Sequence, residues 1–536
     1  MKAVTPAILA FPLALLAGWF LVLHPSPSAG AGPKPDSYWQ VDDLQVGMKG
    51  QGRTVLKGTR IETFEAEVLG VMKNTSPGRD MVLCRLSGLN LEQTGVIAGM
   101  SGSPVYINGK LLGAVAYAWP FGKEPIAGVT PFSQMHGYVE SYERRDLVEE
   151  GSKPTRVGLR TPVTADGHTY DTVTVAQSAT DTTPTAADGL WMAPLCTPLA
   201  ATGFTPHSLA LLRERCGTTG MLPMAGGGAS ARIAAAEKNT PLEPGGPLAV
   251  ALVTGDFDLS GIGTVTHIEG NRVYGWGHPF FSLGTCEFPL MTGYIHTIYP
   301  RQNISFKMGS PLRTVGVINA DVSTCIAGWL DRKPDLLPVG MTITREADAG
   351  AHTFHVEVVR QPALVAPLVY TVLTNSVDME GDLPEELTAT MTARIEVEGR
   401  PPVVLHDTFS GSGYSGGHAP QALYTPVAAV VNLLTYNSYK PIRIRRIDCE
   451  THILPGRRTA DIEAIELDSE TYSPGETLKA TVFVRPYKGL PQRLPVSLAL
   501  PADLPEGDYT ALVCDDLTSA RYDLHDNPNL NDPQNL

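Results

Sequence analysis

Val96-Ile97-Ala98-Gly99-Met100-Ser101-Gly102-Ser103-Pro104-Val105-Tyr106-Ile107, followed by Asn108-Gly109 and Lys110-Leu-Leu-Gly-Ala-Val-Ala-Tyr117, is the stretch on which the reading of this chain turns. Asn-Gly between two apolar runs is the strongest short hairpin signal, because both residues accept a positive φ. A strand, a two-residue turn and a returning strand are therefore predicted directly after a serine flanked by glycines. A serine hydroxyl is a weak nucleophile at neutral pH; it needs a base beside it and donors aimed at the developing oxyanion. The turn supplies the donors. Gly99 and Gly102 let the backbone approach a carbonyl with no Cβ in the way, and the amides of Gly99 and Ser101 can point at one oxygen. Ser101 is the candidate nucleophile, and the Gly99 and Ser101 amides are the candidate oxyanion hole.

Outward from this point the same punctuation continues. Glu65–Val71 and Asp80–Leu86 read as strands before the serine, and Gly263–Thr266, Arg272–Gly275 and Thr314–Ile318 as strands after it. The 53 Gly and 44 Pro are scattered between such runs, which predicts a mainly β protein. With 536 residues the chain needs several cores. A net charge of -14 argues against a nucleic-acid partner, whose phosphates require clustered Lys and Arg. The seven cysteines include no Cys-x-x-Cys pair; Cys196 with Cys216 is the pairing the spacing offers in an oxidising compartment.

Composition divides the chain into seven parts. Residues 1–31 carry Lys2, an uncharged run from Ala3 to Leu23 and Ala29-Gly30-Ala31, the form of an export signal. Two versions stay open: cleavage, or retention as an N-terminal membrane anchor, since the run approaches spanning length. Residues 38–150 hold the nucleophile, 151–246 form a Thr/Ala/Gly-rich inserted cap with a helix over 206–215, and 247–339 form a second strand-rich block. A β-rich region follows over 340–455. Residues 460–515 alternate as a small Ig-like β-sandwich, with Leu478, Ala480, Val482 and Val484, then Val496, Leu498 and Leu500, then Tyr509, Ala511 and Val513 on strands. Residues 516–536 are a polar tail.

The order Gly-x-Ser-Gly-x-Pro, strand, Asn-Gly turn and Gly-containing strand resembles the nucleophile region of chymotrypsin-like serine proteases. It resembles more closely the SpoIVB family of sporulation signalling peptidases, densely so from Val46 to Met135. Gly261-Ile-Gly-Thr-Val-Thr266 and Val273-Tyr-Gly-Trp-Gly-His278 form a second family-like piece. The resemblance implies a chymotrypsin-like double half-barrel built from residues 38–150 and 247–339, with His278 as general base. It also implies a regulatory endopeptidase acting through an acyl-enzyme on proteins or peptides of the cell envelope, in a periplasmic, extracellular or membrane-anchored setting. Two departures stand out. The family places its histidine before its serine, whereas here Ser101 precedes His278. The family aspartate upstream of the serine has no counterpart in Leu86-Ser87-Gly88. Asp321 is the first choice for the third member, with Asp80 and Asp256 behind it, and a serine–histidine dyad stays open.

Competing readings are weaker on chemical grounds. Gly413-Tyr-Ser415-Gly-Gly lacks the strand and helix that a nucleophile elbow requires. His352 and His355 fall on opposite faces of a strand with no third ligand, so neither a metal nor a cofactor is expected. An inactive relative that binds an envelope partner is the chief alternative to an enzyme.

Overall fold

A computed structural model describes residues 35–119, 122, 124–145, 154–176, 190–216, 221–226, 233, 235–301, 304–346, 350–381, 383–413 and 420–528. The export signal and Ser415 lie outside these residues. In the first barrel, β1 (Lys49–Val55), β2 (Ile61–Ser76), β3 (Arg79–Ser87), β4 (Pro104–Ile107), β5 (Lys110–Ala118) and β6 (Ile126–Pro131) pair in the order β4-β1-β2-β3-β6-β5. Pairing of β4 with β5 closes the ring, which leaves no open edge. The closure depends on the predicted turn: Asn108 and Gly109 have φ of 50° and 80°, and Ile107 faces Lys110 across the hairpin. Phe64, Ala66 and Val68 alternate inward from β2 and meet Val82, Cys84, Leu86, Val105, Val115 and Val129 in the core.

The 151–246 region is shared between two sheets rather than standing apart as a cap. β7 (Thr155–Ala165), β8 (His168–Val175) and β9 (Leu190–Pro194) extend the first sheet, with β9 pairing the end of β5. β10 (Thr197–Thr202) and β11 (Met221–Ala225) extend the second, and the helix Pro206–Cys216 lies between them in sequence. Cys196 is a thiol, half-buried against Met224, Ala98 and Phe306, and makes no bridge.

The second barrel consists of β12 (Pro247–Gly255), β13 (Asp258–Glu269), β14 (Arg272–Gly275), β15 (Gly284–Tyr299), β16 (Phe306–Val322) and β17 (Cys325–Trp329). They follow the order β13-β14-β17-β16-β15-β12, and β12 returns to β13 to close this ring as well. The two barrels meet through the helix Phe132–Glu143, which drives Phe132, Met135 and Val139 against Tyr274, Ala320, Val322, Cys325 and Ala327. The fold is thus mainly β, with the chymotrypsin-like pair of barrels expected from the sequence.

At its far end β12 also pairs β19 (Ala351–Val359), and the sheet continues through β18 (Leu336–Arg345), β22 (Ile444–Pro455), β20 (Glu386–Val397) and β21 (Val403–Ser412). Helices Pro362–Asp378 and Thr425–Thr435 cover this extension with Val365, Val369, Val372, Val427 and Val431. The alternating C-terminal block forms one three-stranded sheet, β23 (Ala460–Leu467), β24 (Thr477–Pro486) and β25 (Gln492–Ala499), where two facing layers were expected. Tyr509, Ala511 and Val513 fall outside any strand, and the helix Asp516–Asp526 occupies part of the expected polar tail. No helix among the described residues is long and apolar enough to cross a membrane.

Candidate active site

The segment from Ala98 to Ser103 leaves the first barrel and is fastened to the second by main-chain and hydroxyl contacts. The Lys307 amide donates to the Ala98 carbonyl at 2.9 Å, and the Thr264 amide donates to the Ser101 carbonyl at 2.9 Å. Thr264 Oγ1 donates to the Gly99 carbonyl at 2.9 Å, and Thr266 Oγ1 to the Gly102 carbonyl at 2.8 Å. Its own barrel holds it too, through the Gly102 amide on the Val115 carbonyl at 2.8 Å. Gly102 is required here. Its φ is 94°, and a Cβ at this position would lie 1.9 Å from the Thr264 carbonyl oxygen.

His278 reaches the same junction from the second barrel. It follows β14 through Trp276 and Gly277, whose φ values of 69° and 74° turn the chain sharply after the strand. Gly277 abuts β5 so closely that a Cβ would meet the Ala114 methyl at 2.8 Å, and its carbonyl accepts from Thr130 Oγ1 at 2.6 Å. The Trp276 amide lies 2.5 Å from where a Gly102 Cβ would stand. Serine turn and histidine loop are therefore neighbours across the barrel junction, although 177 positions separate the two residues (278 minus 101).

Both side chains are closed off: Ser101 is 0% exposed and His278 2%. Ser101 Oγ and His278 Nε2 are buried without a hydrogen-bond partner among the described residues, and so are not bonded to each other. His278 Nδ1 lies 2.8 Å from the Pro279 carbonyl, which can only accept; the proton therefore sits on Nδ1, and Nε2 keeps its lone pair. Burial pushes the imidazole down to about 4, so it is neutral at neutral pH and able to take a proton. The amides of Gly99 and Ser101 donate to no acceptor among the described residues. Their orientation follows from the other ends of their peptides. The Ala98 carbonyl is held by Lys307 and the Met100 carbonyl by Ser103, at 2.8 Å in the latter case, and in a trans peptide the N–H points the opposite way.

Asp321 corrects one expectation. Its carboxylate bonds to neither ring nitrogen of His278; the orienting contact at Nδ1 comes from Pro279 instead. Asp321 is fully buried and accepts from the amides of Phe280 at 2.7 Å, Phe281 at 2.8 Å and Leu283 at 3.2 Å. It therefore braces the loop that begins at His278. Asp80 accepts from Lys73 and the Asn74 amide, and Asp256 from the His355 amide, so neither adjoins the histidine. His136 lies in the inter-barrel helix beside Glu140 and Tyr274. Lys307, Thr264 and Thr54 escaped the sequence reading. Lys307 alternates with Phe306 and Met308 along β16, a pattern that ordinarily puts a lysine in water, and no local signal announces otherwise.

Two closed β-barrels with a glycine-flanked serine at their junction are an architecture like that of chymotrypsin-like proteins. Residues 42–131 match the family model described as SpoIVB peptidase S55. The match covers the first barrel and includes Ser101 but not His278. No curated protein and no solved structure matches the chain.

Proposed function

We propose that the chain is an exported serine endopeptidase that cleaves envelope proteins in a regulatory role. Ser101 attacks the scissile carbonyl, His278 Nε2 takes the hydroxyl proton and returns it to the leaving amine, and water resolves the acyl-enzyme. The Gly99 and Ser101 amides receive the oxyanion. The observation that carries this reading is that the serine turn and the histidine loop meet at the barrel junction, each with a buried polar atom, Ser101 Oγ and His278 Nε2, that has no hydrogen-bond partner among the described residues. Pro279 and Asp321 then act as positioning groups, the first on the ring and the second on its loop, which makes the reacting pair a dyad. Regulation is supported by burial. A peptide reaches Ser101 only when the junction opens, and openings that admit a small probe readily but a polypeptide seldom suit a signalling peptidase.

Burial equally favours one rival, a non-catalytic binding module of the envelope. Incubation with a fluorophosphonate probe decides between them. Labelling at the peptide containing Ser101, lost in Ser101→Ala, is expected of the peptidase; an unlabelled wild-type protein under conditions that label a control serine protease overturns it.

A further inference from the structure

Lys307 is 0% exposed, yet no carboxylate among the described residues accompanies it. Its Nζ lies 2.8 Å from Thr54 Oγ1 of β1 and 3.2 Å from Thr264 Oγ1 of β13, and these are its polar contacts. Ser103 Oγ donates to Thr54 Oγ1 at 3.0 Å, and Thr264 Oγ1 donates to the Gly99 carbonyl. The hydroxyls and the amine thus form one chain that starts at Ser103, passes through Lys307 and ends on Gly99, touching the nucleophile turn on both sides of Ser101. The lysine stem completes the enclosure. A Cβ on Gly99, where φ is 95°, would meet Cβ, Cγ and Cδ of Lys307 at 3.1 Å.

A buried amine with only hydroxyl partners costs the fold stability, because Nζ gives up water for weaker acceptors. Such a cost points to a task. From its contacts, the task is to hold the turn. The Lys307 amide fixes the Ala98–Gly99 peptide, and its side chain fixes the Gly99–Met100 peptide through Thr264. Both planes that meet at Gly99 are therefore set by one residue of the other barrel.

We infer that Lys307 is a positioning residue for the Ser101 reaction, whose ammonium, relayed by Thr264 to the Gly99 carbonyl, keeps the oxyanion-binding turn aimed and its surroundings electropositive. The Gly99–Met100 peptide donates through the Met100 amide to Ile97 rather than to the oxyanion, so the lysine acts by fixing that plane, and its positive charge beside the turn favours negative charge developing there. Burial alone pushes Lys307 down to about 7, and Thr54, Thr264, Gly99 and Ser103, which face it from β1, β13 and the turn, carry no charge to oppose the shift. The ammonium is accordingly lost as pH rises through neutrality. The inference rests on Ser101 being the nucleophile.

The test measures the second-order rate of fluorophosphonate labelling at Ser101 between pH 5 and pH 9, beside the thermal midpoint. Lys307→Met is expected to label at least roughly 10-fold more slowly, in line with loss of part of an oxyanion device, while its midpoint is equal or higher. The wild-type rate should fall above about pH 7, and that descending limb should vanish in Lys307→Met. A purely structural lysine would instead lower the midpoint and leave the pH profile in place. Thr264→Val, which keeps the lysine but cuts its link to Gly99, should slow labelling comparably, and the double variant should be no slower than the slower single one. Labelling of Lys307→Met at the wild-type rate, or a slowed rate with the descending limb intact, overturns the inference while leaving Ser101 as nucleophile. If Lys307→Met does not fold, an unchanged rate in Thr264→Val overturns it equally. An unlabelled wild-type protein overturns the nucleophile assignment and this inference together.

Discussion

The two barrels are alike in construction and unlike in what they contribute. Each closes six strands into a ring, yet the first offers its chemistry on one continuous stretch, Gly99 to Gly102, and the second from three separated strands and their loops. Thr264 and Thr266 come from β13, His278 from the loop after β14, and Lys307 from β16. The first barrel makes the serine turn; the second holds its Ala98, Gly99, Ser101 and Gly102 carbonyls, and through Ala98 aims the Gly99 amide. A serine turn of this kind belongs to neither barrel alone, and substitutions in the two should fail differently.

The largest effect is expected in the first barrel. Ser101→Ala should cut labelling and proteolysis by about 10^4- to 10^6-fold, the scale on which removal of a catalytic serine acts. Because Ser101 is buried with an unpartnered hydroxyl and is no surface residue, its loss should leave the urea midpoint unchanged or slightly raised. A clear fall in stability would show that the hydroxyl has a structural task. Ser103, by contrast, donates to Thr54, so Ser103→Ala should show in stability before activity.

Next comes His278 in the second barrel. His278→Ala should slow labelling about 100- to 10,000-fold, the range of general-base catalysis. The imidazole is depressed to about 4 in the folded protein and lies near 6.5 when unfolded. Between these values the unfolded chain binds the extra proton, so stability present above about pH 6.5 should drain away as pH falls toward 4. Urea titrations at pH 7.5 and pH 4.5 should show a smaller acid loss in His278→Ala than in wild type. An equal loss in both would mean that other groups govern the acid limb.

Asp321→Asn tests the brace rather than the base. An amide offers the three loop amides one carbonyl oxygen and adds a competing donor, which should cost on the order of 3 kcal/mol in urea unfolding and slow labelling only about 10-fold. A rate loss as large as that of His278→Ala, with stability intact, would return Asp321 to direct catalysis. At the small end, Leu494→Ser in the open C-terminal sheet, where the side chain is 46% exposed, should move stability by no more than about 0.5 kcal/mol and leave labelling untouched.

These contrasts track what could be read before any fold was known. The Asn108-Gly109 hairpin and the strands around it were legible because turn chemistry and alternation are local. The same rules placed β13 and β14 and the helix Pro206–Cys216. They overreach at the C-terminus, where alternation over 460–515 predicts two layers and the structure has one; period-two patterning marks a strand but does not say whether a second sheet covers its face. They also misassigned Asp321, because a carboxylate 43 residues after His278 (321 minus 278) can brace the loop or touch the ring, and spacing does not distinguish these.

The sequence by itself determined that the chain is mainly β, that a glycine-flanked serine leads into a hairpin, and that this segment resembles the SpoIVB peptidases. Each depends on residues within one or two turns of each other, where φ preferences and hydrophobic period act directly. Only the tertiary structure decided which groups surround Ser101. Gly277 against Ala114, Thr264 on Gly99, Pro279 as the ring's partner and Lys307 buried without a counter-ion all arise where two closed barrels press together. A strand's alternation assigns each side chain to one of two faces, but whether the outer face of a barrel meets water or a second barrel is settled by packing between segments far apart in the chain.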